Sequence, residues 1–269
     1  MKKYGLIGYP LGHSLSAVIH KAGFKSLGIE ASYEILETPP DELVDRVKYF
    51  KRNDYEGFNV TIPLKLPISL FVQEVDKYAD IAGAVNTVKI NSDKTFKGYN
   101  TDAMGFKKAI PQNLDFSGAN VALLGTGGAS RAAVLALSEL GVKYIGVYTR
   151  NIPNAMDYMA YMRRKFPQIE FESHQIDLVR DLSKYQLLVN TTPIGMLGRS
   201  ADMTPIEENV LRTMPANSTV YDVIYNPKKT ILLKLAEKLG YNTINGLDML
   251  VYQAVAAQEI WFGQTQIGR

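Results

Sequence analysis

The chain of 269 residues contains no cysteine. Disulfides, thiolate catalysis, iron–sulfur clusters and cysteine-ligated zinc are therefore excluded. Histidine is scarce as well, with three in all. His13 and His20 would share a face only if one helix covered both, and no third ligand of matching spacing joins them. A histidine-based metal enzyme finds no support, and no metal is expected. No stretch approaches the roughly 20 apolar residues needed to span a bilayer. Lys2 and Lys3 open the chain as a signal peptide would, but Gly8, Pro10, Gly12 and His13 break any apolar core within a few positions. A strong charge surplus is also missing. The formal net charge is +3, and the local cluster Arg163-Arg164-Lys165 reads as the solvated face of a helix. Nucleic-acid binders usually carry a stronger, clustered basic surplus. These absences point away from nucleic acid and membrane and towards a cytoplasmic protein.

What is present is ordinary for a globular chain: 46% hydrophobic and 21% charged residues. The length allows one large domain or two small ones. No repeat or low-complexity segment occurs. Short apolar runs alternate with helical patterns. Strands are expected at Tyr4–Gly8, Ser32–Leu36 and Gly57–Thr61, with helices at Ser16–Leu27, Pro40–Phe50 and Val72–Ile81. Val85–Ile90 and Thr95–Tyr99 should pair as a hairpin around residues 91–94. A second alternating series starts near residue 103. Its strands are Asn120–Leu124, Tyr144–Tyr148, Leu187–Asn190 and Thr219–Asp222, and a helix covers Ala129–Leu140. Helices near Thr230–Leu239 and Leu247–Phe262 follow. Strands separated by helices imply mainly parallel sheets. The expected fold is α/β in two domains. Residues 1–102, completed by 240–269, form a substrate-binding and catalytic domain with a mainly parallel sheet. Residues 103–239 form a Rossmann-type dinucleotide-binding domain, and the C-terminal helix returns to the first domain, since chain ends tend to lie close together.

Gly125-Thr126-Gly127-Gly128-Ala129-Ser130 follows a strand and opens a helix, the context required of a phosphate-binding glycine loop. Gly125 permits the tight turn and Gly127 lets backbone approach a pyrophosphate. The helix N-terminus offers free N–H groups and the positive end of its dipole. The third small position is Ser130 rather than glycine, and a tight structural turn is the plain alternative. The next strand ends at Tyr148-Thr149-Arg150-Asn151. An NAD site usually places an acid there for the ribose 2′-hydroxyl. Arg150 stands without an acid, and a cationic fork suits a 2′-phosphate, favouring NADPH.

Four segments elsewhere are polar where a plain core would be apolar. His13-Ser14-Leu15-Ser16 offers two hydroxyls to an anion, or simply caps a helix. In Asn59-Val60-Thr61-Ile62-Pro63-Leu64-Lys65 the polar Asn59 and Thr61 alternate with apolar neighbours and project from one face at a strand end. Lys65 alone would read as a solvated lysine. Gly83-Ala84-Val85-Asn86-Thr87 brings an asparagine into a strand. In Gly98-Tyr99-Asn100-Thr101-Asp102, Asp102 would alone read as a helix cap.

Taken jointly and in this order, these segments resemble the motifs of the shikimate dehydrogenase family. The correspondence spans essentially the whole chain. It continues through Asn190–Met196, Asp222-Val223-Ile224-Tyr225-Asn226-Pro227 and Gly246–Ala254. The resemblance implies NADPH-dependent, reversible reduction of 3-dehydroshikimate to shikimate, in aromatic amino acid biosynthesis. It implies Lys65 and Asp102 as the catalytic pair, and Ser14 and Ser16 as holders of the substrate carboxylate. Asn59, Thr61, Asn86, Tyr225 and Gln253 would contact the carboxylate or ring hydroxyls. Gly125, Thr126, Gly127, Gly128 and Ala129 would cradle the cofactor pyrophosphate. Thr149, Arg150 and Asn151 would hold the 2′-phosphate, and Gly246 would lie against the nicotinamide. Met214 reads as core. The chain departs from the family at Leu64, where many members have histidine, and at Lys21, where many have asparagine. Thr149 and Asn151 exchange the usual order around Arg150, and Asn154 replaces a frequent second arginine. These last changes leave NAD use open. Oxidation of quinate, and a non-catalytic nucleotide-binding regulator on the same scaffold, are the alternative readings. The expected assembly is a monomer or homodimer acting on a small molecule.

Overall fold

A computed structural model describes residues 1–12 and 14–263. His13, weighed above as a metal ligand, lies outside the described residues, as does the side chain of Asn154. The chain divides into two compact units, residues 1–105 with 250–269, and residues 106–249.

The first unit opens with β1 (Lys2–Gly8), α1 (Ser16–Ser26), β2 (Ala31–Glu37), α2 (Leu43–Arg52) and β3 (Tyr55–Val60). It continues through β4 (Glu74–Val75), α3 (Lys77–Ala82), β5 (Thr87–Ile90) and β6 (Phe96–Tyr99), and α4 (Asp102–Lys108) leads out of it. The strands form one sheet in the order β2-β1-β3-β5-β6-β4. β1 runs parallel to β2 and β3, and β4 parallel to β6, whereas β5 is antiparallel to both β3 and β6. That reversal positions the site. The end of β3, the start of β5 and the end of β6 fall at one edge of the sheet, with Asn59 opposite Thr87 and Thr87 opposite Tyr99.

One expectation fails here. Val72–Ile81 does not form a single helix. Glu74 and Val75 pair with β6 as a short strand, and Asp76 then caps α3 by accepting from the Ala79 N–H at 2.7 Å. A side-chain cap fixes where a helix starts, which overrides a weak periodic pattern. The other elements differ from expectation by a residue or a few at their ends. α2 owes its place to Leu43, Val47 and Phe50, spaced to bury one stripe.

The second unit contains β7 (Asn120–Leu124), α5 (Gly128–Glu139), β8 (Tyr144–Thr149), α6 (Ile152–Lys165), β9 (Glu170–Gln175) and β10 (Leu187–Asn190). Then come α7 (Glu208–Leu211), β11 (Thr219–Asp222), α8 (Ile231–Lys238) and β12 (Asn242–Ile244). All strands run parallel in the order β12-β11-β10-β7-β8-β9. β7 and β10 are buried throughout apart from the first residue of β7, which is why Val121–Leu124 and Leu187–Val189 read as apolar runs. β9 and β12 escape sequence reading because they are edge strands carrying polar residues. Arg163 and Arg164 are exposed on α6, as a solvated face requires. Met214 is buried in this unit's core.

The last helix, α9 (Gly246–Phe262), ends in the first unit's core. Trp261 stacks on Tyr4 with centroids 4.5 Å apart, and its indole N–H donates to the Val88 carbonyl at 3.0 Å. Buried tryptophan needs such a partner for its polar end. No helix among the described residues is long and apolar enough to cross a membrane.

Candidate active site

In the first unit, Lys65 Nζ donates to Asp102 Oδ2 at 2.5 Å, and the two side chains are 13% and 6% exposed. A solvated lysine does not look like this. Bringing two charges out of water is costly unless each meets the other and the remaining lone pairs are filled. Here they are filled. Asn86 Nδ2 donates to Asp102 Oδ1 at 2.8 Å and lies 2.9 Å from Thr101 Oγ1. Asp102 starts α4 but does not cap it. Asn100 accepts from the Ala103 N–H instead, while its own Nδ2 donates to the Ala84 carbonyl at 2.9 Å.

The backbone explains why these residues meet. Lys65 follows the turn at Thr61–Leu64, closed by the Leu64 N–H to the Thr61 carbonyl at 2.8 Å. The Lys65 carbonyl then accepts from the Val85 N–H, which ties that turn to the entrance of β5. The Asn86 carbonyl accepts from the Val60 N–H, and the Asn86 N–H donates to the Tyr99 carbonyl. Asn86 therefore bridges the ends of β3 and β6. Its Oδ1 accepts from the Thr101 N–H at 2.8 Å.

Asn59 is buried beside it. Its Oδ1 accepts from the Tyr33 hydroxyl at 2.7 Å, and its Nδ2 donates to Thr87 Oγ1 at 2.9 Å and the Asn86 carbonyl at 3.3 Å. Both N–H groups are used, so Asn59 could meet a ligand only through Oδ1, which the His20 side chain also approaches. Gln253 on α9 is also buried. Its Nε2 donates to the Leu250 carbonyl, and its Oε1 lies 3.5 Å from both Asn86 Nδ2 and Thr101 Oγ1.

Ser14 and Ser16 follow β1 at the same sheet edge. Ser14 Oγ donates to Ser16 Oγ at 3.1 Å and accepts from the Ser16 N–H at 3.3 Å. α1 begins at Ser16 with Leu15 before it and no side-chain cap. Neither serine is the N-cap residue, although Ser14 satisfies the first N–H of α1. Thr61 is half-buried, and its N–H donates to the Ile7 carbonyl at the end of β1.

In the second unit the glycine loop joins β7 to α5. Gly125 has φ of +101°, and a Cβ there would lie 3.0 Å from Thr191 Oγ1. Gly127 precedes α5 with no side-chain cap, and a Cβ at Gly127 would meet nothing within 4 Å. Uncapped N–H groups beside open space fit a phosphate-bearing cofactor. Thr126, Gly128 and Ala129 flank it in the loop and the first turn of α5. Ser130 is buried, and its hydroxyl donates to the Gly127 carbonyl at 2.7 Å, so the imperfect third position braces the loop. Arg150 and Asn151 are exposed at the end of β8. The Asn151 N–H donates to Thr149 Oγ1, and Gln175 Nε2 pins the Arg150 carbonyl at 2.9 Å. Gly246 lies against backbone: a Cβ there would fall 2.0 Å from the Val223 carbonyl oxygen. Tyr225 is half-buried in this unit, two loop positions beyond Val223.

Sequence reading misses three buried polar groups. Thr87 and Tyr33 belong to the Asn59 network. Asp222, at the end of β11, is fully buried. It accepts from Asn190 Nδ2 at 3.0 Å, the Ile224 N–H at 3.1 Å and Thr230 Oγ1 at 2.7 Å. Burial pushes its carboxyl up to about 6, against the opposing hydrogen bonds from Thr230, Ile224 and Asn190. In the first unit, burial pushes His20 down to about 3. Thr87 and Asp222 fall inside segments singled out by the motifs, though with no role attached to them, and Tyr33 carries no such signal.

Two family descriptions match the chain. They are the shikimate dehydrogenase substrate binding domain over residues 6–88 and the shikimate 5′-dehydrogenase C-terminal domain over residues 246–265. A shikimate dehydrogenase (NADP(+)) of Crocosphaera subtropica is 39% identical, over 98% of this chain and 91% of its own length. One of Caldanaerobacter subterraneus is 37% identical, over 98% and 92%. The crystal structure of the shikimate 5-dehydrogenase of Thermus thermophilus in complex with NADP(H) and shikimate superposes with a TM-score of 0.82. That match has 31% identity and covers 98% of this chain and 94% of that one.

Proposed function

The chain belongs to the shikimate dehydrogenase family, and we propose that Lys65 and Asp102 are the acid–base pair of its NADP-dependent reaction. That reaction is the reversible reduction of 3-dehydroshikimate to shikimate, a step of aromatic amino acid biosynthesis. The observation that carries the assignment is the 2.5 Å contact between Lys65 Nζ and Asp102 Oδ2 in a mostly buried setting. NADPH, when bound, supplies the hydride that no side chain can supply. As the ring carbonyl is reduced, negative charge builds on its oxygen. The Lys65 ammonium stabilises that oxygen and delivers its proton, and in the oxidative direction it takes one back. Asp102 holds Lys65 and orients the substrate hydroxyl. Asn86, aimed at Asp102, keeps the carboxylate in place.

Ser14 and Ser16 would take the substrate carboxylate. Thr61, Asn59, Asn86, Gln253 and Tyr225 would contact the carboxylate or ring hydroxyls, Asn59 through its Oδ1. In the cofactor site, residues 125–129 would hold the pyrophosphate. Thr149, Arg150 and Asn151 would hold the 2′-phosphate, and Gly246 would face the nicotinamide. The first unit is thus the substrate-binding unit and the second the nucleotide-binding unit. A cytoplasmic location and a monomer or homodimer complete the reading.

The test is Lys65→Ala, assayed at the nicotinamide absorbance band with shikimate and with quinate, each with NADP and NAD. Wild type should turn over shikimate with NADP. The variant should lose about 10² to 10⁴ in rate while remaining folded. A folded Lys65→Ala protein with near-normal turnover would overturn the assignment.

A further inference from the structure

Tyr33 lies on β2, outside every motif that marks the site, and is buried. Its hydroxyl donates to Asn59 Oδ1 at 2.7 Å. Asn59 Nδ2 donates to Thr87 Oγ1 at 2.9 Å. Thr87 Oγ1 donates to Asn86 Oδ1 at 3.1 Å. Asn86 Nδ2 donates to Asp102 Oδ1 at 2.8 Å. Every link runs in the same direction and the last ends on the carboxylate.

We infer that Tyr33 is a positioning residue, the first donor of a one-way hydrogen-bond chain that orients Asn59, Thr87 and Asn86 and aims an N–H at Asp102. The inference rests on the Lys65–Asp102 reading and extends it by naming what holds the carboxylate. The direction is forced at both ends. Burial holds the Tyr33 phenol well above its ordinary range, so it stays a donor. A carboxylate can only accept. Reversing Asn86 would set its Oδ1 against the Asp102 carboxylate, and reversing Asn59 would set its Oδ1 against the Asn86 carbonyl that its Nδ2 now meets at 3.3 Å. Thr87 has a single proton, and with Asn59 donating to its oxygen, Asn86 Oδ1 at 3.1 Å is its shorter contact, Thr101 Oγ1 at 3.3 Å being the other. Linked hydrogen bonds of one sense polarise and strengthen one another in a poorly screened interior. The Thr101 N–H also donates to Asn86 Oδ1, so Asn86 is held from two sides and the contribution of Tyr33 is partial.

The seat of Tyr33 is equally defined. The His20 ring stacks on it with centroids 4.3 Å apart and planes 9° from parallel. Gln258 of α9 contacts His20 Nδ1 at 3.1 Å. The phenol is therefore fixed laterally by α1 and α9, and its hydroxyl faces Asn59.

Tyr33→Phe keeps the ring on its seat and removes only the donor. The expected result is a fall in kcat of about threefold to tenfold, the usual worth of one hydrogen bond, with KM for NADPH unchanged. Thr87→Val cuts the same chain in the middle and should give the same signature, which also covers a failure of the first variant to fold. Because one chain can be broken only once, the double variant should lose no more than the larger single loss. Losses that multiply, a Tyr33→Phe kcat equal to wild type, or an effect confined to KM would each overturn the inference. Lys65→Ala run alongside separates the two readings. If it is inactive while Tyr33→Phe is untouched, only the chain fails; if it is active, the acid–base assignment fails.

Discussion

In the first unit the candidate site is made of side chains, and in the second it is made largely of backbone. Around Lys65 and Asp102, five buried polar side chains from three strands and two connecting segments satisfy one another: Tyr33, Asn59, Asn86, Thr87 and Thr101. Around Gly125–Ala129, the groups on offer are uncapped N–H donors at the start of α5, and the Ser130 hydroxyl braces the loop itself. The difference follows from the tasks that the proposed function gives the two sites. A proton must be handled at one atom, which demands a fixed acid–base pair. A pyrophosphate is a diffuse anion, and a helix N-terminus binds it without any particular side chain. Damage should therefore differ in kind: changes in the first unit should strike turnover, and changes in the second should strike cofactor affinity.

The largest effect that would test this contrast is expected from Asp102→Asn. It keeps the shape but removes the charge that holds Lys65, and kcat should fall about a hundredfold or more with KM for NADPH unchanged. Steady-state kinetics at saturating shikimate checks it; a loss confined to KM for the cofactor would dissolve the distinction.

Next in size is the response of folding stability to pH, where the two units should oppose each other. Folded His20 takes a proton only near pH 3, whereas the unfolded chain takes one near 6.5. The unfolded state binds more protons between those values, so this contribution is present above 6.5 and is lost as pH falls, by on the order of a few kcal/mol. Folded Asp222 takes its proton near pH 6, and the unfolded chain near 3.8. Here the folded state binds more, so stability falls as pH rises from 3.8 to 6, by a smaller amount. Thermal melts across roughly pH 3.5–7 should show a weaker acid loss in His20→Gln than in wild type. Asp222→Asn should be more stable relative to wild type at about pH 7 than at about pH 4. Parallel curves for wild type and both variants would contradict both assignments.

The smallest effect is expected from Gly125→Ala. A non-glycine residue at φ of +101°, with its Cβ 3.0 Å from Thr191 Oγ1, costs about 1 to 3 kcal/mol. KM for NADPH should rise about tenfold, and kcat at saturating cofactor should change little. A kcat loss that persists at saturation would place Gly125 with the first unit's residues.

Particular residues show how much is legible in advance. β7 and β10 can be read to the residue, because a strand buried on both faces is a nearly continuous apolar run. The glycine loop is legible because phosphate binding requires a strand, small residues and a helix in immediate succession. Val72–Ile81 misleads because one side chain, Asp76, decides where α3 starts. Lys65 and Asp102 each have a bland local reading, and only the order of motifs along the chain singles them out. Tyr33 is invisible to sequence reading. It sits at an ordinary inward position of a strand, where an aromatic is expected as core.

The sequence by itself determined the α/β alternation, the glycine loop, the absence of thiol chemistry and the family whose motifs the chain carries. Each is local or a matter of order, so the linear pattern records it. Only the tertiary structure decided that Lys65 and Asp102, 37 positions apart, lie within 2.5 Å, and that Tyr33, Asn59, Thr87 and Asn86 line up on the carboxylate. The physical reason is the reversed strand β5. It folds the start of one strand back to the ends of two others, so that burial and unmet hydrogen bonds, rather than spacing along the chain, select the partners.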